Sequence, residues 1–216
     1  MKSFLFIQGF RMENKLLEAV KRIQAIAQNG LAYSQNVYDI ERYKELRRIS
    51  VEMMAVISEN CISTVKNLFA GETGYQTPKV DIRAVVFREG KVLLVKETAD
   101  GCWSLPGGWA DVGLSPGEVA MKEVREEAGL LVKPLRLLGI LDKKFYPHPP
   151  SPYHTYKIFI LCESIGGETG CGIETSDVSF FGYDDLPELS MERNTSQQLR
   201  MVFDFLNNPG KEAFFD

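Results

Sequence analysis

Hydrophobic residues recur at helical spacing in the first third of the chain. The apolar positions are Leu16, Val20, Ile23 and Ala27 in a first helix, and Tyr43, Leu46, Ile49, Met53 and Val56 in a second, longer one. Asn29-Gly30 is expected to end the first helix. Because two or three helices bury little apolar surface alone, they are expected to pack on another domain or on a second copy of the chain. We assign residues 12–69 to a helical module and residues 1–11 to a tail or an upstream-start artefact.

From residue 79 the pattern changes to that of strands. Residues 80–87 and 91–96 flank Arg88-Glu-Gly90, which predicts a hairpin. Further strands are predicted at 134–141, 153–162 and 178–183, a closing helix at 195–206, a turn-rich linker at 70–78 and a C-terminal tail at 209–216. The chain is therefore expected to have a helical part followed by a mixed strand-and-helix part.

Residues 116–128 have the signals of a short helix at both ends. Ser115 followed by Glu118 forms a capping box, Pro116 occupies the first helical position, and Gly129 suits the left-handed residue that ends a helix. Its predicted buried face consists of Ala120, Met121, Val124 and Ala128.

Three glutamates share another face of this helix. At about 100° per residue, Glu123, Glu126 and Glu127 lie close together, and each adverse pair destabilises an isolated helix by about 0.2–0.5 kcal/mol. A hard divalent cation such as Mg²⁺ or Mn²⁺ removes this repulsion, because it prefers carboxylate oxygens. A solvated acidic face is the alternative interpretation.

The segment from Gly108 to Leu130 resembles the Nudix box. The family pattern is glycine, five residues, glutamate, seven residues, Arg-Glu, an aliphatic residue, any residue, Glu-Glu, any residue, glycine and an aliphatic residue. The chain matches it at Gly108, Glu123, Val124, Glu126, Glu127, Gly129 and Leu130. It departs at Leu114, where the first glutamate is expected, and at Lys122, where the arginine is expected.

This resemblance implies an α+β fold, in which a Nudix-type α/β/α sandwich with a mixed sheet over residues 79–208 follows a small all-α module. The helical module, residues 103–112 and residues 141–154 are similar to the Nudix group with a "hydrolase of X-linked nucleoside diphosphate" N-terminal domain. That group includes bacterial CDP-choline pyrophosphatases and ADP-ribose pyrophosphatases. The implied reaction is metal-dependent hydrolysis of the pyrophosphate bond in a nucleoside diphosphate–X conjugate, which gives a nucleoside monophosphate and phosphorylated X.

The resemblance also implies roles for individual residues. Glu123, Glu126 and Glu127 would hold Mg²⁺ or Mn²⁺, and Lys122, at the arginine position, is assigned to the catalytic site. In Nudix enzymes a further glutamate from a loop ahead of a late strand can act as base or as an extra metal ligand, and Glu174 is the candidate here. An exposed loop acid is an equal alternative for that residue. Weaker candidates are Glu163, Glu168 and Asp177.

Candidates for substrate contact are Trp103, Gly108, Trp109, Asp111, Lys143 and His148. For the two tryptophans, stacking on a base competes with core packing. For Lys143 and His148, phosphate or nucleotide contact competes with a place in a solvated proline-rich loop. Asp111, beside Leu114, is a candidate replacement for the missing acid.

Charge and composition narrow the function classes. A net charge of −4 without a large basic cluster argues against a general nucleic-acid binder. Two alternatives to the conjugate pyrophosphatase stay open: an RNA-processing enzyme, and a non-catalytic nucleotide-sensing module suggested by Leu114 and Lys122. The four cysteines lack zinc spacing, and no stretch approaches the ~20 apolar residues of a membrane span. We expect a cytoplasmic enzyme with a small-molecule substrate and a homodimer formed through the N-terminal helices.

Overall fold

The chain folds as two units in the computed structural model, which describes residues 2–216, with side chains described at 15–67 and 69–216. One unit comprises Met1–Pro78 with Pro150–His154, and the other Lys79–Pro149 with Thr155–Asp216. The helical unit contains α1 (Lys2–Tyr33), α2 (Val37–Ser58) and α3 (Ile62–Phe69). The side chains of residues 1–11, predicted to form a tail, lie outside the described residues. The backbone of α1 begins at Lys2.

The expectation that Asn29-Gly30 ends the first helix is wrong, because α1 continues to Tyr33. Asn29 instead holds the linker, since its Oδ1 accepts a hydrogen bond from the Gln76 backbone N–H at 2.7 Å. Gly30 allows the ring of Tyr43 on α2 to approach, because a Cβ atom there would lie 2.4 Å from that ring. These two residues therefore serve packing between elements.

The core of the helical unit includes only part of the predicted stripe, from which Val20 and Ala27 are fully buried. The buried residues include Leu17, Val20, Val51, Met54 and Phe69. In contrast, Leu16, Leu46 and Val56, which belong to the predicted apolar stripe, are 44%, 37% and 80% exposed. An apolar surface is therefore left on the outside of this unit.

The second unit is built on a seven-stranded mixed sheet. Its elements are β1 (Lys79–Arg88), β2 (Lys91–Glu97), β3 (Trp103–Ser104), α4 (Pro116–Ala128), β4 (Leu130–Asp142), β5 (Thr155–Gly167), β6 (Thr175–Phe181), α5 (Ser196–Asn207) and β7 (Phe214–Phe215), with 3₁₀ turns at Lys143–Phe145 and Tyr183–Asp185. The strand order is β3-β2-β1-β5-β4-β7, and β6 pairs with β2. The pairs β1–β5 and β4–β7 are parallel and the others are antiparallel.

The two faces of the sheet are covered by α4 and α5. Val124 of α4 belongs to a core with Ile82 and Ile160, whereas Leu199 of α5 belongs to a core with Val85. Successive strand residues point to opposite faces, so the alternation along β1 supplies both cores. The α+β fold with a mixed sheet between helices is thus confirmed.

The ends of α4 follow the sequence signals. Ser115 Oγ accepts from the Glu118 N–H, and Glu118 Oε2 accepts from the Ser115 N–H at 2.8 Å, which completes the capping box. Gly129 ends the helix with φ +72°. The predicted buried face needs one correction, because Met121 is 42% exposed and Val119 takes its place in the core.

Several strand limits differ from the prediction: β5 spans Thr155–Gly167 instead of 153–162, and β6 spans Thr175–Phe181 instead of 178–183. β4 begins at Leu130 instead of residue 134, because the chain passes directly from the Gly129 cap into the sheet. Pro134 lies at a register shift, where its missing N–H does not interrupt a regular ladder. Within the expected C-terminal tail, Phe214–Phe215 pair with β4. Among the described residues, no helix has the length and apolar character needed to cross a membrane.

Candidate active site

The glycine turn before α4 fixes the position of Glu127. Gly107 has φ +149°, and its backbone N–H donates to Glu127 Oε2 at 2.9 Å. A Cβ atom at Gly107 would lie 1.9 Å from the carbonyl oxygen of Ile82, so only glycine fits. The turn is attached to β1, since the Ile82 N–H donates to Gly108 O and the Ala84 N–H donates to Pro106 O. One glutamate of α4 is therefore held by the main chain.

The three predicted metal ligands differ in exposure. Glu127 is buried, Glu123 has a side chain only 13% exposed, and Glu126 is half exposed. Gly108 faces Glu123, because a Cβ atom at Gly108 would lie 3.3 Å from Glu123 Oε2. The structure thus places Glu123 and Glu127 against the glycine turn, with Glu126 on the solvent side.

Lys122 is surrounded by carboxylates. Its Nζ lies 2.9 Å from Asp111 Oδ2, 3.4 Å from Glu123 Oε1 and 3.6 Å from Glu126 Oε2. Asp111 comes first among the groups that raise the pKa of Lys122 above its usual value. Leu114, at the glutamate position of the family pattern, is partly exposed, while Asp111 supplies the acid that pairs with Lys122.

Burial makes two of these carboxylates hard to ionise. It raises the pKa of Glu127 to about 8, with smaller contributions from Glu97 and Glu123, against the stabilising Gly107 N–H and the Arg83 charge. It also raises the pKa of Glu123. A cation close to these oxygens would reverse both shifts, since an opposite charge favours the ionised form.

The donor set fits a hard divalent cation in chemistry and charge. Oxygen donors from carboxylates are the ligands that Mg²⁺ and Mn²⁺ prefer. In the described part of the chain, no three acidic, histidine or cysteine side chains form a ready-made metal cluster. The Lys122 ammonium, between Glu123 and Glu126, lies where positive charge is needed. These residues suit a cation, although the three carboxylates do not converge on one point.

A buried ionic network that sequence reasoning missed lies on the strands beside the turn. Arg83 forms a bidentate pair with Asp81 at 2.7 and 2.8 Å, and donates to Leu105 O at 3.0 Å. Lys157, 1% exposed, lies 3.1 Å from Asp81, and burial lowers its pKa to about 7. A detectable signal was the pair of charged residues that interrupts the apolar run of β1.

Glu97, at the end of β2, was also missed. It is 1% exposed, and its Oε1 accepts from Ser104 Oγ and from Arg193 Nε, both at 2.6 Å. The next residue, Asn194, is fully buried and accepts the Leu105 N–H at 2.9 Å. These contacts attach Arg193 and Asn194, which precede α5, to β2 and to Leu105, which precedes the glycine turn.

Glu174 is exposed, directly before β6. Its carbonyl oxygen accepts from the backbone N–H and the hydroxyl of Thr98. The neighbouring Thr175 donates its hydroxyl to Glu127 O at 2.8 Å, and Gly172 fits closely against the carbonyl of Glu126. The loop before β6 is therefore attached to the end of α4, and the role of Glu174 stays a prediction.

The remaining candidates for substrate contact lie in different settings. Trp103 packs edge-on against Phe181 with 4.7 Å between ring centroids, in the core on the α5 side, whereas Trp109 is 51% exposed. Lys143 pairs with Glu192 at 3.0 Å. Core packing thus accounts for Trp103, and stacking by Trp109 stays a prediction.

His148 ties its loop to α5. Its Nδ1 lies 2.7 Å from Met191 O, and its Nε2 lies 3.0 Å from Gln198 Nε2. Burial lowers the pKa of His148 to about 4, so the imidazole is neutral at physiological pH. With both ring nitrogens engaged, this histidine acts in the structure as a link between elements.

Comparison with known proteins gives matches over both units. Residues 77–203 match the NUDIX domain family, and residues 14–69 match a family described as UDP-X-like, N-terminal oligomerisation domain. Over 206 residues the chain is 52% identical to the Bacillus subtilis protein named "Putative ADP-ribose pyrophosphatase YjhB", covering 95% of this chain and 99% of that protein.

Solved structures agree with these matches. A crystal structure of an ADP-ribose pyrophosphatase from Streptococcus suis is 46% identical, with a TM-score of 0.60, over 65% of this chain and all of that one. A crystal structure of a UDP-X diphosphatase is 29% identical, with a TM-score of 0.61, over 94% of this chain and 99% of that one.

Proposed function

The chain belongs to the Nudix family, and on that premise we propose that it hydrolyses the pyrophosphate bond of a nucleoside diphosphate linked to another moiety. The products would be a nucleoside monophosphate and phosphorylated X. The observation that carries the proposal is the set of three glutamates on α4, of which Glu127 is buried and held by the Gly107 N–H. The departures at Leu114 and Lys122 leave this set in place.

ADP-ribose is the favoured substrate among the conjugates. Relatives at 52% and 46% identity carry names that specify ADP-ribose pyrophosphatase, and the structure that aligns over 94% of the chain is named a UDP-X diphosphatase. CDP-choline, implied by the resemblance of the N-terminal module, is the second candidate. All three conjugates share the diphosphate, and they differ in the base and in X.

The residues of the site have three proposed roles: metal binding, positioning of the ligands and proton acceptance. Glu123, Glu126 and Glu127 would hold Mg²⁺ or Mn²⁺; a bound cation supplies Lewis-acid polarisation and neutralises charge on the phosphate oxygens. Lys122 orients Glu123 and Glu126 and limits their mutual repulsion. Glu174 takes the proton of the attacking water, whose oxygen bonds to one phosphorus while the bond from that phosphorus to the bridging oxygen breaks.

We also propose a homodimer through the helical unit. Large apolar side chains on α1 and α2 are exposed, among them Ile26 at 57%, Val37 at 58% and Val56 at 80%. Exposed apolar surface of this kind marks protein interfaces. The family that matches residues 14–69 is described as an oligomerisation domain. A monomeric mass in solution would reject this part of the proposal.

The test is product identification. The purified protein is incubated with ADP-ribose, CDP-choline and a short RNA, with Mg²⁺ or Mn²⁺ or with a chelator, and the products are identified by mass. AMP with ribose 5-phosphate, or CMP with phosphocholine, is expected only with metal. Faster turnover of the RNA would favour an RNA-processing enzyme, and nucleotide binding without turnover would favour a sensing module.

Three variants show which carboxylates matter. Glu127→Gln should abolish turnover, whereas Glu118→Gln should retain it, because glutamine also completes a capping box on the same helix. A Glu174→Gln variant that keeps full turnover would reject the role of Glu174 as base.

A further inference from the structure

The helical unit contains a cavity of about 730 Å³. Its wall comes from all three helices and from the linker that follows them; the lining residues used below are Leu31, Lys44, Arg47, Val51, Ile62 and Lys66. The volume lies within the range of about 300–1,000 Å³ typical of sites for small molecules. Every lining residue belongs to residues 31–73, whereas the glutamates of α4 belong to the other unit.

The cavity concentrates positive charge in a chain whose net charge is −4. Four lining residues are cationic, and Arg48, one of them, pairs with Glu45 and Glu52. Four cations against these two glutamates leave two positive charges. Within the part of the chain that the structure describes, the ammonium groups of Lys44 and Lys66 make no ion pair. The cavity therefore carries an uncompensated charge of about +2.

The linker wall is held in place by Arg47. Its Nη2 donates to the carbonyl oxygens of Ala70 and Glu72, the second at 2.6 Å. Carbonyl acceptors carry no net charge, so this guanidinium stays positive while its position is fixed. A guanidinium whose position is already fixed loses little conformational entropy when an anion binds.

Part of the remaining wall is apolar. Leu31, Val51, Ile62 and Ala70 supply aliphatic surface, with Asn67 as an amide donor and acceptor. An inorganic anion alone would leave this surface uncovered and most of the volume empty. A ligand with a flat or apolar body next to its anionic group would cover both.

From these observations we infer that the cavity is a binding site for a phosphomonoester with an apolar ring system, of the nucleoside monophosphate class. A phosphomonoester carries about −1.5 to −2 at neutral pH, which matches the two uncompensated positive charges. Lys44, Lys66 and Arg47 would contact the phosphate, and the aliphatic wall would contact the base. Binding there would be an effector function, separate from turnover at α4.

Calorimetric titration of the full chain tests this inference. The Glu127→Gln protein in excess chelator, which weakens binding at α4, is titrated with AMP, with adenosine and with ribose 5-phosphate. We expect one AMP per chain, and at least tenfold weaker binding of both fragments. Lys44→Ala/Lys66→Ala should weaken AMP binding at least tenfold, whereas Lys15→Ala/Arg22→Ala, which removes the same charge from exposed positions on α1, should not.

A second variant separates loss of the site from loss of folding. Asn67→Phe fills the cavity without a change in charge, and circular dichroism checks that each variant keeps its helices. Three results would overturn the inference. They are absence of AMP binding, AMP binding by both cavity variants as tight as by the protein with an intact cavity, and adenosine binding as tight as AMP binding. If a second copy of the chain covers the cavity, AMP does not bind, and the inference is rejected.

Discussion

Replacement of Glu127 by glutamine separates the effect of this side chain on stability from its role in turnover. Glutamine has nearly the same volume and keeps an oxygen that accepts from the Gly107 N–H. It cannot ionise, however, and it offers no charge to a cation. In a chelator the variant should therefore be more stable than the original protein at high pH, although it is inactive with metal.

The magnitude follows from the pKa of Glu127, which burial raises from 4.5 to about 8. Between these values the folded protein binds more protons than the unfolded chain, so the stability from this group is complete below pH 4.5 and is lost as the pH rises through about 8. Each pH unit corresponds to about 1.4 kcal/mol, which sets a ceiling of about 5 kcal/mol. We expect about 2 kcal/mol, because water that enters the site solvates the ionised carboxylate.

Thermal unfolding in a chelator, at about pH 5 and about pH 8.5, measures this effect. A stability gain of about 2 kcal/mol corresponds to a melting temperature about 4–8 °C higher for a protein of this size. We expect that gain for Glu127→Gln at the higher pH and little gain at the lower. Glu126→Gln, one residue away and half exposed, is the control and should show no pH-dependent gain.

Two outcomes would refute this reasoning. One is a Glu127→Gln variant that melts below the original protein at about pH 8.5. The other is a difference in melting temperature that is the same at both pH values. Either result would mean that the carboxylate is not destabilised by burial in the metal-free site.

Three other substitutions test the surroundings of the site. Gly107→Ala should lower stability by about 3 kcal/mol and abolish activity, because its Cβ would meet Ile82 O; an unchanged melting temperature would contradict this. Arg193→Ala leaves the buried Glu97 without its cation and should destabilise by about 3–5 kcal/mol, most of it recovered by adding Glu97→Gln. Asp111→Asn should weaken activation by Mg²⁺ several-fold, because Lys122 then interacts more strongly with Glu123 and Glu126; an unchanged Mg²⁺ dependence would contradict this.

The features that sequence predicted well depend on neighbours along the chain. The capping box from Ser115 to Glu118 and the Gly129 end of α4 both involve residues within a few positions of one another. The hairpin between β1 and β2 is of the same kind, since Glu89 and Gly90 both have the positive φ that a tight turn needs.

Features that depend on distant partners were not predictable in this way. Arg193 meets Glu97 across almost a hundred positions, and Glu127 is buried only because the turn at Gly107 folds back over α4. The extension of α1 past Asn29-Gly30 has the same origin, because Gly30 is needed for the ring of Tyr43 and not for a helix end.

The pair formed by Asp111 and Lys122 bears on how remote members of a family are recognised. A search that scores each position separately counts two mismatches here, one at Leu114 and one at Lys122. In three dimensions Asp111, three positions before Leu114, supplies a carboxylate that forms an ion pair with Lys122 at 2.9 Å. A criterion based on the total side-chain charge near α4 would find no difference from the family pattern. It would retain chains that a match to the sequence pattern alone rejects.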